Sequence, residues 1–404
     1  MESNHEKERK LEDETRNLIA RLPKEIALDI VSRLPISSLI QFRFVCQTWN
    51  MLTRDSRLVD LHLSCASKIN PCIIFKTYHL RKEQLFFVEL SDNDDDEHKL
   101  REIQIPFSTS MPIFRVVGSC NGLLCLSGVY DHEAVYIYNP FTRQHIKLPN
   151  CNELEVNEVV YGYGFHPATN EYKVIKIGYY SHVYYVPWCF HKSVKKDYPL
   201  SEVHLFNLKR NTWRNLGELP YKLHHSPGVL VSGRLHWVTR FNWHLDRLIV
   251  AFDLSDDTFQ EVPRPDFNVD LFHCRYHLAA LRGCLCACLL TSIGENLEIW
   301  IMEEYNKKES WVKQFNIGAS SIVSQHLPVS YDIWRTSLQK GSVKVMCLLK
   351  NGDILLDCQG GILIAYSTDE KMLKIIHLHG MPNSCQAIAH VGSLNWIANP
   401  IYLA

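Results

Sequence analysis

The chain has almost no net charge, no apolar run of membrane-spanning length and none of the compact motifs of the common enzyme classes. Each lack removes a class of function. Across 404 residues, 43 Lys and Arg stand against 44 Asp and Glu, a formal net charge of −1. No overall electrostatic pull toward nucleic acid or anionic membrane follows, and no basic stripe restores one locally. The longest apolar candidates, such as LAALRGCLCACLL, are short and broken by Arg282 and Gly283, so no membrane partner is expected. The first twenty residues carry charges of both signs and lack the apolar h-region of a secretory signal. A reducing compartment, cytoplasmic or nuclear, is therefore expected, and the 14 cysteines read as small buried hydrophobes.

There is no Gly-x-Ser-x-Gly elbow, P-loop, dinucleotide fingerprint or His-Glu-x-x-His, and no cysteine has a distinguishable activating neighbour. The expectation is a non-enzyme without cofactor. Cys284, Cys286 and Cys288 alternate on one face of a strand, with His273, Cys274 and His277 nearby, but the spacing is not that of a zinc finger or ribbon. Packed small residues explain it as well, and no metal is expected.

What the sequence does contain is a dense helical head, LPKEIALDIVSRLPISSLIQFRFVCQTW from Leu22 to Trp49. Ile26, Ile30 and Leu34 recur at the four-residue spacing of one helix face. Pro23 suits the first helical turn, Leu34-Pro35 closes the helix, and Ser37 offers an N-cap for a second one. A segment from Arg57 to His62 reads as a further short helix. So small a unit cannot enclose a core of its own size. Its surplus apolar surface calls for a partner.

Beyond Pro71 the grammar is that of strands, and a loose unit recurs. A glycine turn and hydrophobic strand (SCNGLLCLSG, LVSGRLHWVT, ALRGCLCACLL, LLKNGDILLDC) precede a strand, a polar turn and a strand (VYIYNPFTRQHIKLP, VHLFNLKRNTWRNLGELP, LIVAFDLSDDTFQEVPRP). In the second half an Asn or Asp opens the turn and a bulky residue follows at a set offset: Asn139 to His145, Asn207 to Trp213, Asp253 to Phe259. Units of four strands form propeller blades, here six, at about 71–107, 114–149, 159–220, 227–265, 276–317 and 342–380. SCQAIAHVGSLNWI is left over and is expected to close the ring on the first blade.

LPKEI, IVSRLP, SSLIQFRFVCQTW and LVDLHLS, in this order over residues 21–64, resemble the F-box; Gln47-Thr48 departs from the basic residue and serine that many relatives carry before the tryptophan. GSCNGLLCL, YIYNPFTRQHIKLP and YGYGFHPATNEYKVIKI make the remainder similar to the F-box-associated domain of plant F-box proteins, a less regular relative of kelch propellers. The fold class expected is multidomain: a charged flexible tail (1–20), an all-α F-box head (21–64) and an all-β propeller-like domain (65–404). The resemblance implies docking on a Skp-family adaptor, and through it on a cullin–RING ubiquitin ligase, with Leu22, Pro23, Ile26, Ile30, Leu34, Pro35, Leu39, Val45 and Trp49 forming or supporting the docking face. The propeller would then hold a protein target for ubiquitination. A scaffold outside the ligase is the alternative.

For the target face, the aromatic insertion 179–199 is too long for an ordinary hairpin, and Tyr184, Tyr185, Trp188 and Phe190 could anchor an interface. Trp243 lies in a shorter loop of similar character. Packing back on the propeller stays open for all of them. The acidic run from Asp92 to Glu97 reads as a solvated loop, and 318–341 as a long polar one.

Overall fold

The computed structural model describes residues 22–66, 71–78, 81–90, 98–130, 134–151, 156, 158–180, 201–240, 247–269, 271, 274–291, 296–318, 328–358, 361–381 and 385–395. The head consists of α1 (Lys24–Ser32), α2 (Ile36–Val45), α3 (Gln47–Leu52) and α4 (Ser56–Ala66). Pro23 and Pro35, both extended, occupy the positions just before α1 and α2. Ser37 is therefore not the cap that the sequence suggests. It lies inside the first turn of α2, and its backbone N–H donates instead to the Glu89 carboxylate at 3.3 Å, an anion placed at a helix N-terminus by the first blade.

Six four-stranded antiparallel sheets follow. The first holds β1 (Cys72–Thr77), β2 (Leu85–Glu89) and β4 (Arg101–Ile103), with the short β3 (His98–Lys99) beside them. The second is β5 (Phe114–Cys120), β6 (Leu123–Gly128), β7 (Val135–Tyr138) and β8 (His145–Lys147); the third is β9 (Glu158–His166), β10 (Glu171–Tyr179), β11 (Ser201–Asn207) and β12 (Thr212–Gly217). The fourth runs from β13 (Val229–Val231) through β14 (Arg234–Val238) and β15 (Ile249–Asp253) to β16 (Thr258–Val262). The fifth is β17 (Cys274–Leu281), β18 (Cys284–Thr291), β19 (Asn296–Met302) and β20 (Trp311–Gly318). The sixth comprises β21 (Lys344–Leu348), β22 (Ile354–Cys358), β23 (Ile362–Tyr366) and β24 (Leu373–Ile376).

The first sheet gains its fourth strand from the other end of the chain. β26 (Cys385–His390) pairs with β1 in the register Cys72↔His390 to Thr77↔Cys385, closing the ring as the leftover sequence suggests. A two-residue parallel bridge between β25 (Leu378–His379) and β3 adds a second link from the sixth blade to the first. Around the axis, β26, β5, β9, β13, β17 and β21 each neighbour the next, and β21 returns to β26.

Because every blade is sandwiched between two others, its strands bury both faces, which is why they read as continuous apolar runs rather than clean alternation. In β1, Ile73 and Phe75 pack toward the sixth blade while Cys72 and Ile74 pack toward the second. Each of the six blade junctions is one apolar cluster, and the cluster between the first and second blades also takes in Leu28, Val31, Ile36, Leu39, Leu58 and Val59 of the head.

The repeated polar turn has one construction. Asn139, Asn207 and Asp253 each accept, through Oδ1, a backbone N–H two residues on; the N–H four residues on returns to their carbonyls at 2.9, 2.8 and 3.0 Å. That fourth residue (Arg143, Asn211, Asp257) has positive φ. The strand then resumes with its bulky residue opposite the one before the turn, as Phe206 faces Trp213 and Phe252 faces Phe259.

The segment 318–341 is not simply a polar loop: Pro328–Gln339 form α5. Trp334 is fully buried between the fifth and sixth blades, with Leu338 beside it. Their i, i+4 spacing is the helical signal, obscured by the polar residues around it.

Candidate functional site

The head is held by one face and bare on the other. On α1, Ala27, Leu28, Val31 and Ser32 are buried, whereas Ile26 and Ile30 are 50% and 52% exposed. Opposite α1, Asp55 caps α4 by accepting from the Arg57 backbone N–H at 2.9 Å, and it pairs with Lys24 at 2.7 Å. Hydrogen bonds from Arg57 and Lys24 hold its carboxyl well below the usual range. His62, at the far end of the same helix, reaches the Leu34 carbonyl at 3.1 Å, the ring nitrogen donating. The head is thus tied internally at both ends of α4 while the Ile26–Ile30 stripe points outward.

Of the residues expected at an adaptor face, Leu22, Pro23, Ile26, Ile30, Pro35 and Val45 are exposed. Leu34 and Trp49 are half-buried against the core, Trp49 with its ring 4.5 Å from that of Phe42. Leu39 is fully buried and can only support the face from beneath. Phe44, 84% exposed, and Met51 and Leu61, also exposed, extend the apolar surface beyond those residues. The signal for Phe44 was available: Phe42 and Phe44 flank Arg43 on one helix and cannot both face the core. Arg43 itself buries Nε and Nη2 without a hydrogen-bond partner among the described residues.

The proposed target-binding aromatics Tyr184, Tyr185, Trp188, Phe190 and Trp243, like the acidic run at 92–97, lie outside the described residues. Their described flanks can be placed. Tyr179 and Ser201 pair with each other, and Tyr179 also pairs with Glu158 at the start of the innermost strand β9. Arg240 and Arg247, on either side of 241–246, line a funnel of about 900 Å³ at the end of the ring where the innermost strands begin.

Opposite ends of β26 define the geometry of the whole molecule. Gln386 lines the funnel, while just past the other end Gly392 lies against Ile36 of the head. The head therefore sits at one end of the ring and the funnel opens at the other.

Two of the β18 cysteines are packed into the core. Cys286 and Cys288 sit in the apolar junction of the fifth and sixth blades, where burial pushes the Cys286 thiol up to about 12 and raises the Cys288 thiol well above its ordinary value. No cluster of three or more His, Cys, Asp or Glu suited to a metal ion occurs among the described residues, and His273 lies outside them. No described helix is long and apolar enough to cross a membrane.

The architecture is thus a small helical unit with a bare apolar face, seated on a closed six-bladed ring. The family profiles agree: "F-box-like" matches residues 19–59 and "F-box associated beta propeller domain" matches residues 72–395. The chain belongs to the F-box proteins that carry an F-box associated β-propeller. It is 38% identical over 415 residues to the F-box protein At3g07870 of Arabidopsis thaliana, covering 98% of each chain. It is 26% identical to the F-box protein CPR1 of the same plant, over 93% of this chain and 89% of that one. Among solved structures, TolB from Acinetobacter baumannii aligns over 82% of this chain and 72% of its own at 9% identity, with a TM-score of 0.39, a likeness that carries no weight here.

Proposed function

We propose that this chain is the substrate-recognition subunit of an SCF-type ubiquitin ligase. Its head docks on a Skp-family adaptor, and its propeller holds a protein target so that a ubiquitin-charged enzyme elsewhere in the assembly reaches the target's lysines. The chain itself forms no covalent intermediate; its contribution is proximity, a raised effective concentration of target lysine near the thioester. The observation that carries this reading is the outward stripe of Ile26 and Ile30 on a helix whose opposite face is fully used for anchoring. Burying one such side chain in a partner contributes about 1.5–3 kcal/mol.

The test is co-purification of a Skp-type adaptor with wild type and with Ile26→Asp/Ile30→Asp, which alters only exposed positions. Loss of adaptor from the variant, with the thermal unfolding of the propeller unchanged, is the expected result. An adaptor retained by the variant overturns the docking face. An adaptor bound but no ubiquitin transferred to captured proteins in a reconstituted reaction favours a scaffold outside the ligase.

A further inference from the structure

The axial funnel concentrates positive charge in a protein that has almost none overall. Lys76, Arg115, Arg240, Arg247, Arg275 and Lys344 line it, drawn from five of the six blades, and no Asp or Glu is among its lining residues. Carboxylates lie behind some of these cations. Glu83 pairs with Lys76 at 2.6 Å, and Glu158 bridges Arg240 at 2.7 Å along with Lys222 and His225. Lys344 stands opposite Asp357 across the β21–β22 pair, but burial raises that carboxyl to about 7, so it is only partly ionised near neutrality. Arg275 donates to the Gly341 carbonyl at 3.2 Å and Arg247 to that of Cys274 at 3.0 Å, both neutral acceptors. Arg115 forms no ion pair with a described carboxylate.

Three imidazoles of the funnel register the same field. The pKa of His224 is lowered by burial and then by Arg240, Arg247 and Lys344; that of His277 falls to about 4 through burial and Lys344. His225 is lowered by burial, against the pull of Glu158, with Arg240 and Arg115 adding to the fall. These rings stay neutral and leave the fixed cations without added charge. Val116, Val159, Val238 and Tyr276 supply apolar walls, which focus the potential instead of dissipating it. Like charges converging on a propeller axis oppose ring formation, so the arrangement is suited to a ligand that brings the opposite charge.

We propose that the funnel is a phosphoryl-binding site, and that the phosphoryl group it takes is carried by the target protein. Phosphate suits it better than carboxylate, because each phosphoryl group brings about −1.5 to −2 charges and three acceptor oxygens, which Arg forks engage in pairs. A concave pocket of this volume accepts one or two such groups with their flanking residues, whereas a nucleic-acid strand needs a groove to run along. The funnel also opens away from the head, so a ligand there leaves the adaptor face free. This proposal rests on the reading of the propeller as the target-binding module, and deepens it.

The test measures binding of the full chain to a degenerate phosphoserine peptide library by fluorescence anisotropy. The same library carrying Ser or Glu at the central position, inorganic tripolyphosphate and a ten-nucleotide RNA serve as comparisons. Phosphoserine peptides are expected to bind at least tenfold more tightly than both peptide comparisons and the RNA, with affinity falling as salt is added. Arg115→Gln/Lys344→Gln is expected to lose at least tenfold, while Arg210→Gln, the same change of charge on an exposed outer turn, binds as wild type. Equal binding of the Glu library, tighter binding of RNA, or binding of tripolyphosphate without any peptide preference overturns the proposal. So does unaltered phosphopeptide affinity in the Arg115/Lys344 variant. Adaptor binding is measured on the same preparations: its loss with phosphopeptide binding intact refutes the ligase reading alone, and the converse refutes the funnel alone.

Discussion

Gly392, just past the closing strand, lies so close to Ile36 at the start of α2 that a Cβ on it would meet the Ile36 Cγ2 at 2.5 Å. This contact and the bond from the Ser37 N–H to Glu89 fix the head to the ring.

Gly392→Ala is therefore expected to loosen the head by overpacking, at a cost of about 1–3 kcal/mol. Limited proteolysis of the head–propeller junction checks it, with faster cleavage in the variant. Gly392→Ala/Ile36→Ala is expected to recover part of the protection, since the second change removes the Ile36 Cγ atoms and leaves only its Cβ, at 2.9 Å, in the way.

Lys76 and Glu83 form a buried ion pair, both side chains about 5% exposed or less, and the other Glu83 oxygen accepts from the Phe114 N–H at 2.7 Å. Glu83→Gln leaves a buried ammonium without its counter-charge and unsettles the junction of the first two blades. A loss of about 3–5 kcal/mol in denaturant unfolding is expected, and a smaller one for Lys76→Met/Glu83→Gln, where no buried charge is left alone.

His236 is buried with both nitrogens engaged, at 3.1 Å from the Val229 carbonyl and 2.8 Å from the Tyr305 hydroxyl. The carbonyl can only accept, so Nδ1 carries the proton and Nε2 accepts from Tyr305. Burial lowers its pKa to about 4, below the roughly 6.5 of an unfolded histidine. The unfolded chain then binds more protons between those two values. The contribution of His236 to stability is full above about 6.5 and is lost as pH falls toward 4. His236→Gln is expected to show a shallower fall in stability from pH 7 to 5 than wild type. Taking the difference between the two proteins cancels the opposite trend from Asp357, whose raised pKa makes it favour the fold at lower pH.

Trp334 anchors α5 between the fifth and sixth blades, and its indole Nε1 is buried without a hydrogen-bond partner among the described residues. Trp334→Ala is expected to cost about 3–5 kcal/mol through the cavity it opens. Trp334→Phe is expected to cost much less, because the deleted N–H makes no bond among the described residues. Calorimetric melting of the two variants distinguishes them.

The fold was legible where the signal is local. Asn139, Asn207 and Asp253 announce the repeated turn because their own side chains build it, and the spacing of Ile26 and Ile30 announces a helix face. Leu39 is as apolar as the exposed Val45 of the same helix, and only three-dimensional packing puts it in the core. The funnel was illegible for a different reason. Its cations are scattered from Lys76 to Lys344, and a net charge of −1 averages them away. The C-terminal lacing was equally hidden: Asn139 donates to the carbonyls of Ser393 and Asn395, while Asn395 reaches the Tyr172 hydroxyl at 2.8 Å, joining three blades through residues far apart in sequence.

Closure by β26 also sets an order of events at the ribosome. The head emerges before the propeller and can acquire its exposed apolar surface early, but its seat at Gly392 and the innermost strand of the first blade arrive only after every other blade has been made. A chain broken off before Cys385 would carry the head without a finished ring behind it, so completion of the propeller waits until translation has run past its last strand.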